Sequence, residues 1–365
     1  MSSSLTYSPV EVGAISKSLA ALFETEGQVI TRASATNVIV SGATLDKLTR
    51  VTELVELIAP VHPARFFIPV MDPVATAMRA EVAAACVRVS NGSDVCSEIV
   101  RIFFPANLRS AIPSVIRGHM LPGLSSEVFE FSWDESSQQL IKQCDQLYFD
   151  AQSFPPDHLL ALLDGVAHLK VPMVDFNWVR LGIWREEIKR TFDLPITQNS
   201  LPYLSQVRIE SAHFSPGKYD ASSYTLAGWI AHRLGCEPVA YSREGWECKR
   251  RAGTDLTIQI VAPSEMHRKG NPDQCGVTRV SIDARTSNDD GSAHTSKTVV
   301  LLVKSDVLET RIEGEEGLVF KRAIEKDDLM EVIERFFLVG DSTVNYDPSL
   351  KLGLEMFRLT RGFAE

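Results

Sequence analysis

From Asn37 to Phe176 the chain alternates short apolar runs with amphipathic stretches, and that rhythm limits what it can fold into more than any other feature. NVIVSG (Asn37 to Gly42) reads as a short buried strand. Leu45, Leu48, Val51, Val55 and Ile58 then recur at helical spacing, with Thr44 as the N-cap. Pro60 and Pro63 close that helix, and ARFFIPV, from Ala64, is the next strand. Ile112 to His119 reads as helix, Glu127 to Trp133 as an alternating strand, and Gln138 to Cys144 as helix. Leu147 to Asp150 is a strand, Pro156 to His168 a helix and Val171 to Phe176 a strand. Such alternation with short connections predicts a mostly parallel sheet with helices packed on it.

Two stretches of the first half depart from this rhythm. Ser8-Pro9 predicts a helix start, with Val10, Ile15, Leu19, Leu22 and Phe23 repeating until Gly27. EVAAACVRV and SEIVRIFF, around Asn91-Gly92-Ser93, predict a hairpin. From about Ser205 strands dominate: QVRIES, a helix from Ser222 to Leu234, then EPVAYS, WECKRR, LTIQIVA, GVTRVSI, TVVLLVK and GLVFKR. Helices from Asp327 to Phe337 and Pro348 to Phe357 close the chain, and Ser287 to His294 reads as a polar loop tip. The expected architecture is α/β: an N-terminal domain (1–170) with a mostly parallel sheet and packed helices, and a C-terminal α+β domain (171–365) with an antiparallel sheet. The alternative boundary lies near 195–205.

A length of 365 residues suits two domains, and 44% hydrophobic residues can fill two cores. The formal net charge of −10 disfavours nucleic acid or an anionic membrane as the main partner. Basic runs at Lys249-Arg250-Arg251 and His267-Arg268-Lys269 are short enough to be solvated ends. The N-terminus lacks the basic and apolar regions of a signal peptide, no run reaches membrane-span length, and the expected location is cytoplasmic. Cys86, Cys96, Cys144, Cys236, Cys248 and Cys275 form no C-x-x-C pair, which predicts reduced thiols; Cys86 and Cys96 flank the hairpin, where register decides whether they meet.

Motifs for chemistry are missing. The chain has no G-x-x-x-x-G-K-[ST], no G-x-G-x-x-G after the first strand, no G-x-S-x-G and no H-E-x-x-H, and no two histidines pair at metal spacing. The expectation is a protein with no catalytic residues, no metal and no cofactor of its own.

Tryptophan and arginine concentrate instead in two segments. In DFNWVRLGIWREEIKR (Asp175 to Arg190), Asn177 reads as an N-cap and Leu181, Trp184, Ile188 and Phe192 as the apolar stripe of the following helix. Trp178, Arg180 and Arg185 exceed what a core needs. In YTLAGWIAHRLG (Tyr224 to Gly235), Trp229 and Arg233 share one side of a helix stopped by Gly235. Trp and Arg are the residues enriched at binding hot spots, so Trp178, Arg180, Arg185, Trp229 and Arg233 are the interface candidates. The competing reading places the tryptophans in the domain cores.

These segments resemble a known family. DFNWVRLGIWRE is similar to the Asp-x-x-Trp-Thr-Arg-Leu-x-x-Trp-Arg signature of the glucose-6-phosphate dehydrogenase assembly proteins, OpcA, and LAGWIAHRLG to their Leu-x-Gly-Trp-Leu-x-x-Arg-Leu segment. VHPARFFI and CDQLYFDAQSF resemble their His-Pro-Cys-Arg and Asp-x-Val-x-Asp-Ser segments, in the same order. Ala64, Val179 and Gly182-Ile183 depart from the pattern, and the family's Pro-Asp-x-Pro step before a double tryptophan is reduced to PGLSSEVFEFSW with Trp133 alone, as in a divergent member. The resemblance implies a non-catalytic partner that binds glucose-6-phosphate dehydrogenase and promotes its active oligomer, in the pentose phosphate pathway and NADPH supply. NADP and glucose 6-phosphate would belong to the partner. The alternative is a small-molecule-binding or catalytic α/β protein with its site at the C-terminal edge of the first sheet; a self-associating structural subunit is a third reading.

Overall fold

The structure is a computed structural model. It describes residues 5–23, 30–32, 34–88, 94–130, 135–167, 169–215, 218–251, 253–263, 276–287, 293–304, 307–313, 317–323, 329–339 and 346–363. The chain forms two compact units, Met1–Phe176 with Ile333–Gly340, and Asn177–Val332 with Asp341–Glu365.

The first unit carries, in chain order, β1 (Ser8–Val10), α1 (Ile15–Ala21), β2 (Ile30–Arg32), β3 (Thr36–Ser41), β4 (Ala43–Thr44), α2 (Leu48–Ile58), β5 (Ala64–Met71), β6 (Arg79–Arg88), β7 (Asp94–Phe104), α3 (Ile112–His119), β8 (Ser126–Glu130), α4 (Glu135–Ile141), β9 (Gln146–Phe149), α5 (Pro156–Ala167) and β10 (Met173–Asp175). Its sheet runs β1-β6-β7-β5-β3-β8-β9-β10, with β2 beside β7 and β4 beside β5. Every pair from β7 to β10 is parallel, and β6 joins β7 and β1 antiparallel. Numbered by chain order, the parallel strands lie 3-2-1-4-5-6, the order of doubly wound nucleotide-binding sheets. All of β3, and β5 up to Val70, is buried on both sheet faces, which explains the apolar runs Val38 to Val40 and Phe66 to Val70.

The N-terminal edge of this sheet is held by buried polar groups. Arg65 Nε donates to Glu98 Oε2 at 2.7 Å, and its Nη1 donates to the His119 carbonyl. Asn37 Oδ1 accepts the Leu121 N–H at 2.7 Å while its amide donates to the Leu121 carbonyl at 3.1 Å.

Two expected helix starts are corrected. Ser8–Val10 pairs antiparallel with β6 as an edge strand, where the missing N–H of Pro9 costs nothing, and the helix begins at Ile15. Thr44 belongs to β4, and α2 begins at Leu48 without a side-chain cap.

The hairpin forms, although Asn91-Gly92-Ser93 lies outside the described residues. Its register corrects the expectation of reduced thiols. Cys86 and Cys96 are direct partners with Cα atoms 4.0 Å apart, joined by a disulfide. Across a sequence separation of 10, such a bridge stabilises by about 2–3 kcal/mol in the chain-entropy account. The Cys86→Ser/Cys96→Ser variant should therefore lose about that much stability to denaturant under oxidising conditions and show no deficit in reductant. Finding both thiols freely alkylated in the non-reduced native protein would overturn this.

The second unit contains α6 (Phe176–Arg180, its first residue counted with the first unit), α7 (Gly182–Phe192), α8 (Pro195–Gln198), β11 (Leu204–Ser211), α9 (Ala221–Arg233), β12 (Cys236–Ser242), β13 (Gly245–Arg250), β14 (Leu256–Val261), β15 (Val277–Ser287), β16 (Ala293–Lys304), β17 (Val307–Glu313) and β18 (Leu318–Ala323). Two helices close the chain, α10 (Leu329–Val339) and α11 (Tyr346–Phe363). Its eight-stranded sheet runs β12-β13-β14-β11-β15-β16-β17-β18 and is antiparallel except between β11 and β14. The sequence reading lacked β17. It also placed everything after 170 in one domain, whereas Ile333–Gly340 packs with the first unit. Phe336 and Phe337 explain that return: Phe337 lies 4.4 Å from the His62 ring and 5.5 Å from Tyr148, and Phe336 lies 5.9 Å from both Tyr148 and Phe176.

Helices α9 and α11 cross closely enough to exclude side chains at the contact. A Cβ on Gly228 would sit 2.0 Å from the Ser349 carbonyl oxygen, and one on Gly353 would sit 2.4 Å from that of Tyr224. Trp246 on β13 ties the sheet to α11 through an indole N–H bond to the Met356 carbonyl at 2.7 Å.

Candidate functional site

The strand order directs attention first to the crevice beyond β3 and β8, where doubly wound sheets hold ligands. Ser41 ends β3 and Glu130 ends β8. The Ser41 hydroxyl lies 3.1 and 2.9 Å from the two Glu130 oxygens, and Glu130 is fully buried. The turn after β3 carries Gly42 at φ 78° and passes directly into β4 beside Val70 and Met71. Asp72, Asp150 and Asp175 follow or end β5, β9 and β10 and are all buried. Asp150 accepts the Gln152 N–H at 3.2 Å, and Asp175 accepts that of Ala151 at 2.9 Å. Arg79 and Arg109 reach the β5 end of this edge, at 3.9 Å from Asp72 and 3.7 Å from the Met71 sulfur. A buried carboxylate at the switch point repels the phosphates that a dinucleotide would place there.

The first tryptophan segment is built into the fold. Asn177 lies within α6, not at a cap, and its Oδ1 accepts the Ser222 hydroxyl of α9 at 2.7 Å. The expected single helix is divided at Leu181 into α6 and α7, although the Leu181 and Arg185 amides still bond the carbonyls of Asn177 and Leu181. Trp178 and Arg180 are each 2% exposed. Tyr346 meets the Trp178 ring edge-on at 5.5 Å, and the half-buried Arg185 guanidinium lies 3.3 Å from its centroid. Trp184 is buried as expected. Side chains as deep as Trp178 and Arg180 present little surface of their own.

The second segment behaves differently. Residues Ala221 to Ala231 of α9 are buried, the helix stops before Gly235 at φ 62° as expected, and Arg233 in its last turn is exposed. Trp229 (8% exposed) and Arg233 line a cavity of about 210 Å³ with Ile188, Lys189, Phe192 and Asp193 of α7. Gln198, Leu201, Leu204, Ile230, Leu234 and Ile282 complete it. Two candidates, Trp229 and Arg233, are thus brought together, while Trp178, Arg180 and Arg185 do not line this cavity. Lys189, Asp193 and Gln198 were missed; the only hint was that Ile188 and Phe192, read as core stripe, flank Lys189 on α7.

Burial pushes the Cys144 and Cys248 thiols up to about 12 and the Cys236 thiol to about 11, so these three stay protonated and unreactive at neutral pH. Cys275 lies outside the described residues. Among the described residues no group of three or more His, Cys, Asp and Glu is placed to hold a metal ion. Nor is any described helix long and apolar enough to cross a membrane.

Residues 171–314 match the family described as the C-terminal domain of a glucose-6-phosphate dehydrogenase subunit. A Synechococcus elongatus protein named OxPP cycle protein OpcA is 30% identical over 178 residues, 46% of this chain and 38% of that protein. Its namesake in Nostoc punctiforme is 26% identical over 174 residues, 46% of this chain and 37% of that protein. Over this segment the chain is similar to the OpcA proteins. It spans under two-fifths of the length of these OpcA relatives. The cavity, from Ile188 to Ile282, lies wholly inside the segment matched to the OpcA-related domain.

Among solved structures, a 3-ketoreductase from Actinomadura kijaniata aligns with 90% of the chain and 96% of its own, at a TM-score of 0.44 and 10% identity. A biliverdin reductase from Synechocystis aligns with 91% and 98%, at 0.39 and 8%. At these scores neither bears on activity.

Proposed function

We propose that this chain binds glucose-6-phosphate dehydrogenase and promotes its active oligomer, catalysing nothing itself and serving NADPH supply through the pentose phosphate pathway. The observation that carries this reading is the match of residues 171–314 to a C-terminal domain described for a glucose-6-phosphate dehydrogenase subunit. The switch-point crevice supports it from the other side, because the buried Glu130 carboxyl beside Ser41 at the strand ends is a poor neighbour for phosphates. Activation of this kind is linkage: a protein that binds the active oligomer more tightly than the inactive forms shifts the population by that difference in affinity. NADP and glucose 6-phosphate are then ligands of the dehydrogenase.

Pull-down with the dehydrogenase of the same cell, followed by light scattering and an activity assay, tests the reading. Co-elution, a larger dehydrogenase oligomer and raised turnover are expected. Absence of co-elution with unchanged activity would sink it, as would robust turnover by the purified chain that one point substitution abolishes.

A further inference from the structure

The cavity between α7 and α9 has the size and charge of a seat for one anchoring side chain. We infer that it receives an apolar side chain of the dehydrogenase next to a carboxylate, which Lys189 and Arg233 hold at the rim. This rests on the functional reading above and names the contact through which it would act.

Size comes first. About 210 Å³ falls below the roughly 300–1,000 Å³ of pockets that enclose drug-sized ligands. It suits a single buried anchor of the sort that dominates protein interfaces. The walls are apolar: Ile188 and Phe192 from α7, Trp229 and Ile230 from α9, and Leu204 and Ile282 from the sheet. Trp229 supplies a rigid aromatic surface at little entropic cost.

Charge comes second. Lys189 and Arg233 are exposed, and neither has an ion-pair partner among the described residues. Asp193 shares the rim. Two cations and one anion leave a single positive charge unmatched, so one carboxylate fits and a strongly acidic segment does not. The adjoining stretch adds a third observation, since Ile196 and Tyr203 are 51% and 47% exposed. Large apolar groups left in solvent beside an apolar cavity mark a surface that a protein covers.

Binding of the purified dehydrogenase is measured for the full chain, for Lys189→Glu/Arg233→Glu and for Gln198→Trp, which fills the cavity mouth from an exposed position. Melting curves and light scattering of each protein alone run in parallel. Charge reversal should raise Kd about ten- to a hundredfold with an unchanged melt, mostly lost at high salt. Gln198→Trp should weaken binding at every salt concentration. If the parent binds and both variants bind equally well, the cavity is not the contact and the functional reading stands. If the parent does not bind, that reading falls and this inference with it. Self-association of the parent that the variants abolish, with dehydrogenase binding untouched, would assign the cavity to a second copy of the chain and overturn the inference.

Discussion

Trp178→Ala should cost roughly 3–5 kcal/mol of folding free energy, the range for truncating a large buried aromatic. At 2% exposure the indole has no solvent to retreat to, and its loss also removes the surface on which Arg185 and Tyr346 pack. Trp184→Ala, from another buried position, should behave in parallel. Arg185→Ala should be milder, with the cation–π contact to Trp178 contributing about 0.5–2 kcal/mol of the loss. Denaturant titrations decide the matter: the midpoint should fall with little change in slope. A Trp178→Ala protein that melts like its parent and fails only to bind the dehydrogenase would make this tryptophan a surface anchor after all.

Arg65→Met is expected to be as damaging, roughly 3–5 kcal/mol, for an electrostatic reason. It removes the 2.7 Å charge-assisted bond to Glu98, a carboxylate with no exposed surface in the sheet interior. Removing both charges should recover much of the loss, because the buried carboxylate goes together with its cation. Arg65→Met/Glu98→Leu should therefore be more stable than Arg65→Met alone. Melting curves of the single and double variants check this, and a double variant less stable than the single would show that the pair does more than cancel its own desolvation.

The first sheet was legible because its strands are buried on both faces, so β3 and β5 show as apolar runs separated by helical periodicity. Their lateral order was not legible, since no local pattern records that β8 lies beside β3. β17 was missed because Glu309, Arg311 and Glu313 alternate along it and disguise a strand whose other side buries Leu308, Thr310 and Ile312. Thr44 and Pro9 carried local helix signals that tertiary pairing overrode.

At the candidate site, spacing showed that Trp178, Arg180 and Arg185 belong together but not how deep they lie. An arginine on a surface and one stacked over a buried indole have the same sequence. Gly228 is a further case: a glycine inside a helix costs roughly 1 kcal/mol against alanine, and its reason exists only in the crossing with α11. Lys189 carried little signal of its own, because an exposed lysine becomes part of a site only through what the fold sets opposite it.

The return of Ile333–Gly340 to the first unit makes the two units topologically inseparable by a single cut. A fragment ending at Phe176 would present the Phe129, Tyr148 and Phe176 rings without Phe336 and Phe337, and the remaining piece would display those two phenylalanines with nothing to cover them. Both halves would then be sticky when made alone and would be best produced by joining the 333–340 segment after residue 176 through a short linker. For a protease in the cell the same wiring means that one nick near 176 leaves the pieces clasped together, so a cleaved molecule can persist as an assembled one.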